Sequence, residues 1–346
     1  MRLGIIGFPG AGKGTVFGAL TKTGADVQNK RENQITNIKV PDHRVERLSE
    51  MYSPKKTTFA RVEYFMPGSA DKGPEQNREK KIWNQVRDCD ALIHVIRNFK
   101  AYGLEDPVPG KELLLLKQEL ILEDLVVVEK RLERVALDKK RGKPINPKEL
   151  DLLKECLKHL ENEIPLRNFP EIAQAGILRG YAFLSAKPLL VLFNNEDDDD
   201  HLPDIQTQVQ AKAENYMVLR GQLEQELAQM EDEEVDEFLK EFNVKGSAMD
   251  RVIKNSYELL GLISFFTVGS DEVRAWTIQK DTVAVDAAET IHSDIKKGFI
   301  RAEVLAYDDL IASGSSKAAR QKGKTRLEGK SYLVQDGDII NFRFNV

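Results

Sequence analysis

The stretch Gly7-Phe8-Pro9-Gly10-Ala11-Gly12-Lys13-Gly14-Thr15, set directly after the apolar run Leu3-Gly4-Ile5-Ile6, constrains the fold of this chain more than any other part of it. It runs on into a segment with Val16, Phe17, Ala19 and Leu20 on one apolar side, so the pattern predicts strand, glycine-rich loop, helix. Glycines let successive backbone N–H groups converge on an anion, and the helix N-terminus adds a favourable dipole. We therefore expect a P-loop in which Gly7, Pro9, Gly10, Ala11, Gly12, Lys13, Gly14 and Thr15 hold the phosphates of a purine nucleotide, ATP or GTP, with Lys13 bridging the β- and γ-phosphates. Gly14 stands where the usual pattern has Ser or Thr to hold Mg²⁺. Thr15 lies about 100° further round the helix, where its hydroxyl more naturally meets the α-phosphate. Any magnesium ion is then held indirectly, and no residue is assigned as its ligand.

A chain of 346 residues is too long for one ordinary core and implies two or three domains. Ala91-Leu92-Ile93-His94-Val95-Ile96 and Leu189-Leu190-Val191-Leu192-Phe193 are continuous apolar runs, the pattern of parallel strands covered on both faces. Helical patterns lie between them, so the first two-thirds reads as α/β with a doubly wound sheet. One segment does not fit that sheet. Ile121, Leu125, Val128, Leu132 and Val135 step by 4, 3, 4 and 3, and Leu153, Leu157, Leu160 and Ile164 repeat the spacing beyond the helix-breaking stretch Arg141 to Pro147. These seams predict an antiparallel coiled-coil hairpin; the same spacing also suits two amphipathic core helices. Towards the end, Val273 to Ile278 alternates like a half-buried strand, Ala284 to Ile295 reads as a helix, and Tyr332-Leu333-Val334 and Ile339-Ile340-Asn341-Phe342 read as strands joined by a turn. Strands wrapped on one helix suggest a β-grasp module.

Hydrophobic residues at 41% and charged residues at 31% fit a globular chain, and no run of about 18 apolar residues exists to span a membrane. The N-terminus begins at once with a strand and lacks a basic n-region, so a cytoplasmic location is expected. Cys89 and Cys156 have no metal-ligand neighbours at useful spacing and read as reduced structural thiols. A net charge of −5 argues against polyanion binding by the chain as a whole. Ser313 to Lys330 is locally basic, however, with Lys317, Arg320, Lys322, Lys324, Arg326 and Lys330 against Glu328 alone. Of these, Lys317, Arg320, Lys322, Lys324 and Arg326 are candidates for RNA phosphate contacts; a solvated loop face is the plain alternative. Trp276 and Phe299 sit in alternating strand patterns and read as core, and His292 as packing or capping within its helix.

Val40-Pro41-Asp42-His43-Arg44, Gln118 to Leu125 with Glu129 to Arg134, Lys187-Pro188 and, most closely, Glu272 to Ile278, Lys297 to Ala302, Leu327 to Lys330 and Val334 to Asp338 together resemble the YchF/Obg-like ATPase family. The similarity runs through nearly the whole chain. It implies a P-loop G domain at 1–111 and 186–262, an inserted helical coiled-coil domain at 112–185, and a TGS (β-grasp) domain at 263–346. It also implies a purine nucleotide and the ribosome or RNA as partners. The motifs of nucleotide chemistry depart from the family pattern. No Asp stands near Tyr64 to Gly68 where Asp-x-Ala-Gly is expected, and Asp71 lies on the far side of Gly68; Thr36 is the nearest counterpart of the switch threonine; and no His falls between His94 and His159. The base-recognition element reads Asn194-Asn195-Glu196-Asp197, in which Asn194 and Asp197 are candidate base contacts. Asp197 either meets guanine or simply begins the acidic run to Asp200, and Leu219-Arg220-Gly221-Gln222, in place of Ser-Ala-Lys, promises no help. The expectation is a nucleotide-binding regulatory switch with slow or no hydrolysis, and the alternative a working Mg²⁺-dependent ATPase or GTPase. Oligomeric state is not legible.

Overall fold

The computed structural model describes residues 1–22, 32–68, 75–205, 214–230, 234, 235, 238 and 247–345; Asp71 lies outside them. The strands are β1 (Arg2–Ile6), β2 (Gln34–Lys39), β3 (Lys56–Thr58), β4 (Arg61–Met66), β5 (Ala91–Asn98) and β6 (Leu189–Asn195). They continue with β7 (Glu214–Leu219), β8 (Leu262–Val268), β9 (Glu272–Gln279), β10 (Phe299–Ala306), β11 (Arg326–Glu328) and β12 (Asp338–Phe344). The first five helices are α1 (Lys13–Thr21), α2 (His43–Tyr52), α3 (Glu75–Val86), α4 (Pro109–Lys140) and α5 (Pro147–Glu161). The chain forms two compact units, Met1–Thr36 with Glu63–Val252 and Asn37–Val62 with Ile253–Val346.

In the first unit the sheet order is β2-β4-β1-β5-β6-β7, and β1 pairs parallel with β4 on one side and β5 on the other. β5 to β6 and β6 to β7 are parallel as well. The apolar runs read from sequence are these strands; β6 is buried along its whole length, as a strand covered on both faces must be. Because the chain moves from one neighbour of β1 to the other, a crevice opens beyond the carboxyl ends of the strands, the usual ligand position in such sheets. α4 covers β5 with Leu113, Leu116 and Leu120, in one core with Ile6, Ile96 and Phe193.

α4 and α5 run antiparallel, as Gln118 beside Glu163 and Arg131 beside Glu149 require. Ile121, Val128, Leu153 and Leu160 of the expected seams are buried, whereas Leu157 yields the deepest position to Cys156 and Ile164 lies beyond the end of α5. The hairpin does not stand on its two seams alone: Leu166, Ile172, Leu178 and Phe183 close over it in the same core, so the helices are packed as core helices. Asp124 is fully buried there, accepting the backbone N–H groups of Leu184 and Ser185 at 2.9 and 2.6 Å, with Arg87 3.2 Å from it. Both cysteines are buried free thiols, each pushed up to about 12 by burial.

The second unit is built on the sheet β11-β10-β12-β8-β9-β3. β8 and β9 form an antiparallel hairpin, β12 pairs parallel with β8 and antiparallel with β10, and the helix Ala284–Ile291 packs on the core of Phe265, Ile278, Phe299, Val304, Ile340 and Phe342. That is the β-grasp arrangement. The expected helix to Ile295 breaks at His292, whose backbone is extended and whose Nδ1 accepts from the Asp294 N–H to start a second short helix. Tyr332-Leu333-Val334 is not a strand. Leu333 makes an isolated bridge to Val283, and the strand falls instead at Arg326–Glu328. The segment is occupied with the chain before the helix, Val334 N–H donating to Thr282 and Ala284 N–H to Tyr332. Residues 37–62, which the sequence places with the nucleotide domain, belong to this unit. β3 pairs parallel with β9, and Arg44 of α2 sits between Asp42 and Asp336, 5.1 Å over the Phe266 ring.

Candidate functional site

Gly7 to Gly12 turn back between β1 and α1, and Lys13 is the first residue of the helix. The Lys13 ammonium is held inside the loop by the carbonyls of Gly7 and Phe8, at 2.7 and 2.8 Å. Burial lowers its pKa to about 8, and the carboxylate of Glu112 works against that lowering. Thr15 is half-buried in the first turn of α1, and Gly14 is exposed with no side chain to offer.

Asn194, at the end of β6, is the hub of the crevice. It is buried, its Nδ2 donates to the Ala11 carbonyl at 3.2 Å, and its Oδ1 accepts the Gly221 N–H at 2.9 Å. One side chain thereby ties the phosphate loop to the loop after β7. The fit leaves no room for a methyl group: a Cβ would lie 2.2 Å from Asn194 Nδ2 at Gly12, whose φ is 90°, and 2.5 Å from Asn194 Oδ1 at Gly221. Leu219-Arg220-Gly221-Gln222 meets Asn194 through the backbone of Gly221, and the close approach demands glycine there.

Asp197 is exposed, and its Oδ1 accepts the Leu223 N–H at 3.1 Å. It therefore contacts the first turn of the helix Gly221–Leu227, which follows β7 and whose first residue meets Asn194. Asn195 is used up locally, bonded to Asn98, Asp199 and the His201 carbonyl. Glu196 accepts from the Lys100 N–H at 2.6 Å, so the loops after β5 and β6 are tied together. Thr36 lies on β2, the edge strand, and β4 ends at Met66 with no carboxylate.

Two groups at this end of the sheet carried no signal in the sequence. Glu112, in the first turn of α4, is half-buried and its pKa is raised by burial, with Arg97 and Lys13 working in the other direction. His94 on β5 is fully buried with neither ring nitrogen hydrogen-bonded, and burial lowers its pKa to about 3, so the ring is neutral. No group of three or more His, Cys, Asp or Glu among the described residues forms a metal cage. A magnesium ion bound with nucleotide does not need one: one or two carboxylates, the phosphates and waters suffice, and Glu112 is a carboxylate of the kind that donor set uses.

The basic stretch of the second unit is only partly open. Arg320 pairs with Glu303, Lys324 with Asp309 at 3.0 Å, and Arg326 lies 3.9 Å from both Glu328 and Asp338. Lys317, Lys322 and Lys330 are exposed and make no ion pair among the described residues. Phe299 is core, as expected, and Trp276 is half-buried under Arg274. No helix among the described residues is long and apolar enough to cross a membrane.

Residues 262–345 match the family model YchF-GTPase_C, described as a protein of unknown function (DUF933). The ribosome-binding ATPase YchF of Bacillus subtilis (strain 168) is 37% identical over 367 residues, covering 100% of each chain. That of Escherichia coli O157:H7 is 34% identical, covering 100% of this chain and 99% of its own. Among solved structures, the Schizosaccharomyces pombe YchF GTPase aligns with a TM-score of 0.85 at 29% identity, over 99% of this chain and 97% of its own. Identity above a third along the whole of the bacterial relatives, with the fold of the yeast protein from end to end, places this chain in the YchF family.

Proposed function

We propose that this chain is a ribosome-associated switch that binds ATP or GTP and turns it over slowly or not at all. The observation that carries the reading is the bridge made by Asn194 between the Ala11 carbonyl and the Gly221 N–H, with Lys13 held over the loop beside it. It fixes a phosphate cradle and a loop after β7 in one frame, ready to take the two ends of a nucleotide. Gly7, Pro9, Gly10, Ala11, Gly12, Lys13, Gly14 and Thr15 surround the phosphates in this reading. Asn194 and Asp197 form the base side, and the Asp197 carboxylate suits the N–H edge of guanine. The ribosome enters as partner because the bacterial relatives are called ribosome-binding ATPases. A cytoplasmic location accords with that partner.

Slow turnover follows from what the site lacks. Phosphoryl transfer depends on neutralising charge and placing the attacking water. Gly14 supplies no hydroxyl and β4 ends without a carboxylate. A bound magnesium ion would supply charge neutralisation at the phosphates, and Glu112 is the residue that would hold it through water. The second reading, a working Mg²⁺-dependent ATPase or GTPase, is favoured by one observation, the acid Glu112 coupled to Lys13.

Both are tested by titrating nucleotide-free protein with fluorescent ATP, ADP, GTP and GDP and following turnover beside a YchF relative. Lys13→Ala should lose affinity by about a hundredfold, as expected for a buried charge-assisted contact. Turnover equal to the relative's would sink the slow-hydrolysis reading, and equal affinity of Lys13→Ala would sink nucleotide binding at this loop.

A further inference from the structure

Glu112 follows Pro109 in the first turn of α4. Its Oε2 accepts the Arg97 N–H at 3.4 Å, and Arg97 is in register with Asn194, the residue that ties β6 to the phosphate loop. On the other flank of β5, β1 ends with Ile6 in register with His94 and delivers the two carbonyls that hold the Lys13 ammonium. Gly7 approaches β5 so closely that a Cβ on it would lie 2.3 Å from the Val95 carbonyl oxygen. With neighbouring strands about 4.8 Å apart, the ammonium and the carboxylate share one end of one strand. Each favours the charged form of the other. Two anions at that spot, a carboxylate and a polyphosphate, repel unless a cation stands between them.

We propose that Glu112 is the acidic group through which this site answers to a divalent cation, facing the bound polyphosphate beside Lys13 and ordering the cation's water shell against it. The proposal rests on the nucleotide-binding reading. Chemically it matches the habit of Mg²⁺, which keeps several waters and takes one or two carboxylates together with substrate phosphates. Glu112 thus takes up, from the β5 side, a task that Gly14 and the end of β4 leave open. Without a cation its charge opposes the nucleotide; with one it becomes attractive.

The test uses the full chain and Glu112→Gln, titrated with fluorescent ADP in EDTA and in Mg²⁺. Wild type should gain about tenfold or more from Mg²⁺. Glu112→Gln should bind at least as tightly as wild type in EDTA and gain less than about threefold from Mg²⁺. Mn²⁺ added to ADP-saturated protein and counted by electron paramagnetic resonance should be retained by wild type and released by the variant, a readout that loss of packing alone does not produce. A wild-type cation response in Glu112→Gln, or none in wild type, overturns the proposal and leaves nucleotide binding standing. Absence of nucleotide binding by folded wild type overturns both. Should thermal melting show Glu112→Gln unfolded, Glu112→Asp, which withdraws the carboxylate by one methylene, should lower the cation response, and an unchanged response there overturns the proposal equally.

Discussion

At the scale of the residue, the site is governed by polar side chains tied to the backbone of neighbouring loops. Lys13 has its pKa at about 8 in the unliganded protein, against 10.5 for a free lysine. Phosphate oxygens need the ammonium form, so nucleotide affinity should fall as pH rises above about 8, approaching tenfold per pH unit. Lys13→Arg stays charged throughout and should flatten that slope; isothermal titration between pH 7 and 9.5 measures it, and parallel slopes would refute the assignment. The stability of the unliganded protein should change in the opposite sense. Between the lowered folded value and the unfolded one, the unfolded chain holds the proton that the folded chain has lost, so this residue's contribution rises with pH across that window. The strand, loop and helix over residues 2–21 were legible because the glycines, lysine and apolar residues there obey one local rule. Glu112 and Gly221 were not, because they meet Arg97 and Asn194 from distant parts of the chain, and a single sequence does not show which segments meet.

At the scale of the element, strands and helices were legible wherever a period was written into the apolar residues. β5, β6, β9 and α1 follow their sequence patterns directly. The misreadings lie where a polar contact overrides the period. His292 stops a helix because its ring caps the next one, and the chain around Leu333 donates to Thr282 and accepts from Ala284 instead of pairing with a strand. In the α4–α5 region the controlling residue is likewise polar. Asp124→Ala leaves the Leu184 and Ser185 N–H groups without their acceptor and Arg87 beside an empty carboxylate position. Loss of a buried charge partner should cost about 3–5 kcal/mol, read as a lower urea midpoint, with Asp124→Asn losing less. Wild-type stability in Asp124→Ala would show that the cluster is carried by its leucines alone.

At the scale of the whole molecule, two compact units share one chain, and residues 37–62 are shared out to the unit that holds the C-terminal sheet. If the ribosome is met through the basic stretch of the second unit, the lysines outside ion pairs should matter most. Lys317→Glu with Lys322→Glu should weaken co-sedimentation with ribosomes by about tenfold and reduce its salt dependence. Lys324→Glu, which turns an existing pair with Asp309 into a repulsion, should disturb stability first. Equal loss from every substitution, or none, would place the contact elsewhere. The path of residues 37–62 has a further consequence, for the order of events at synthesis. This excursion leaves the ribosome early, yet the strand that pairs with β3 begins at Glu272 and the strand that completes the sheet ends at Phe344. The nascent chain must therefore carry β3 and the apolar face of α2 without β8 and β9, their permanent partners, until Gln279 is made. Pairing across such a sequence separation is slow, so the interval between the synthesis of β3 and that of β9 is when the early segment is most in need of shelter.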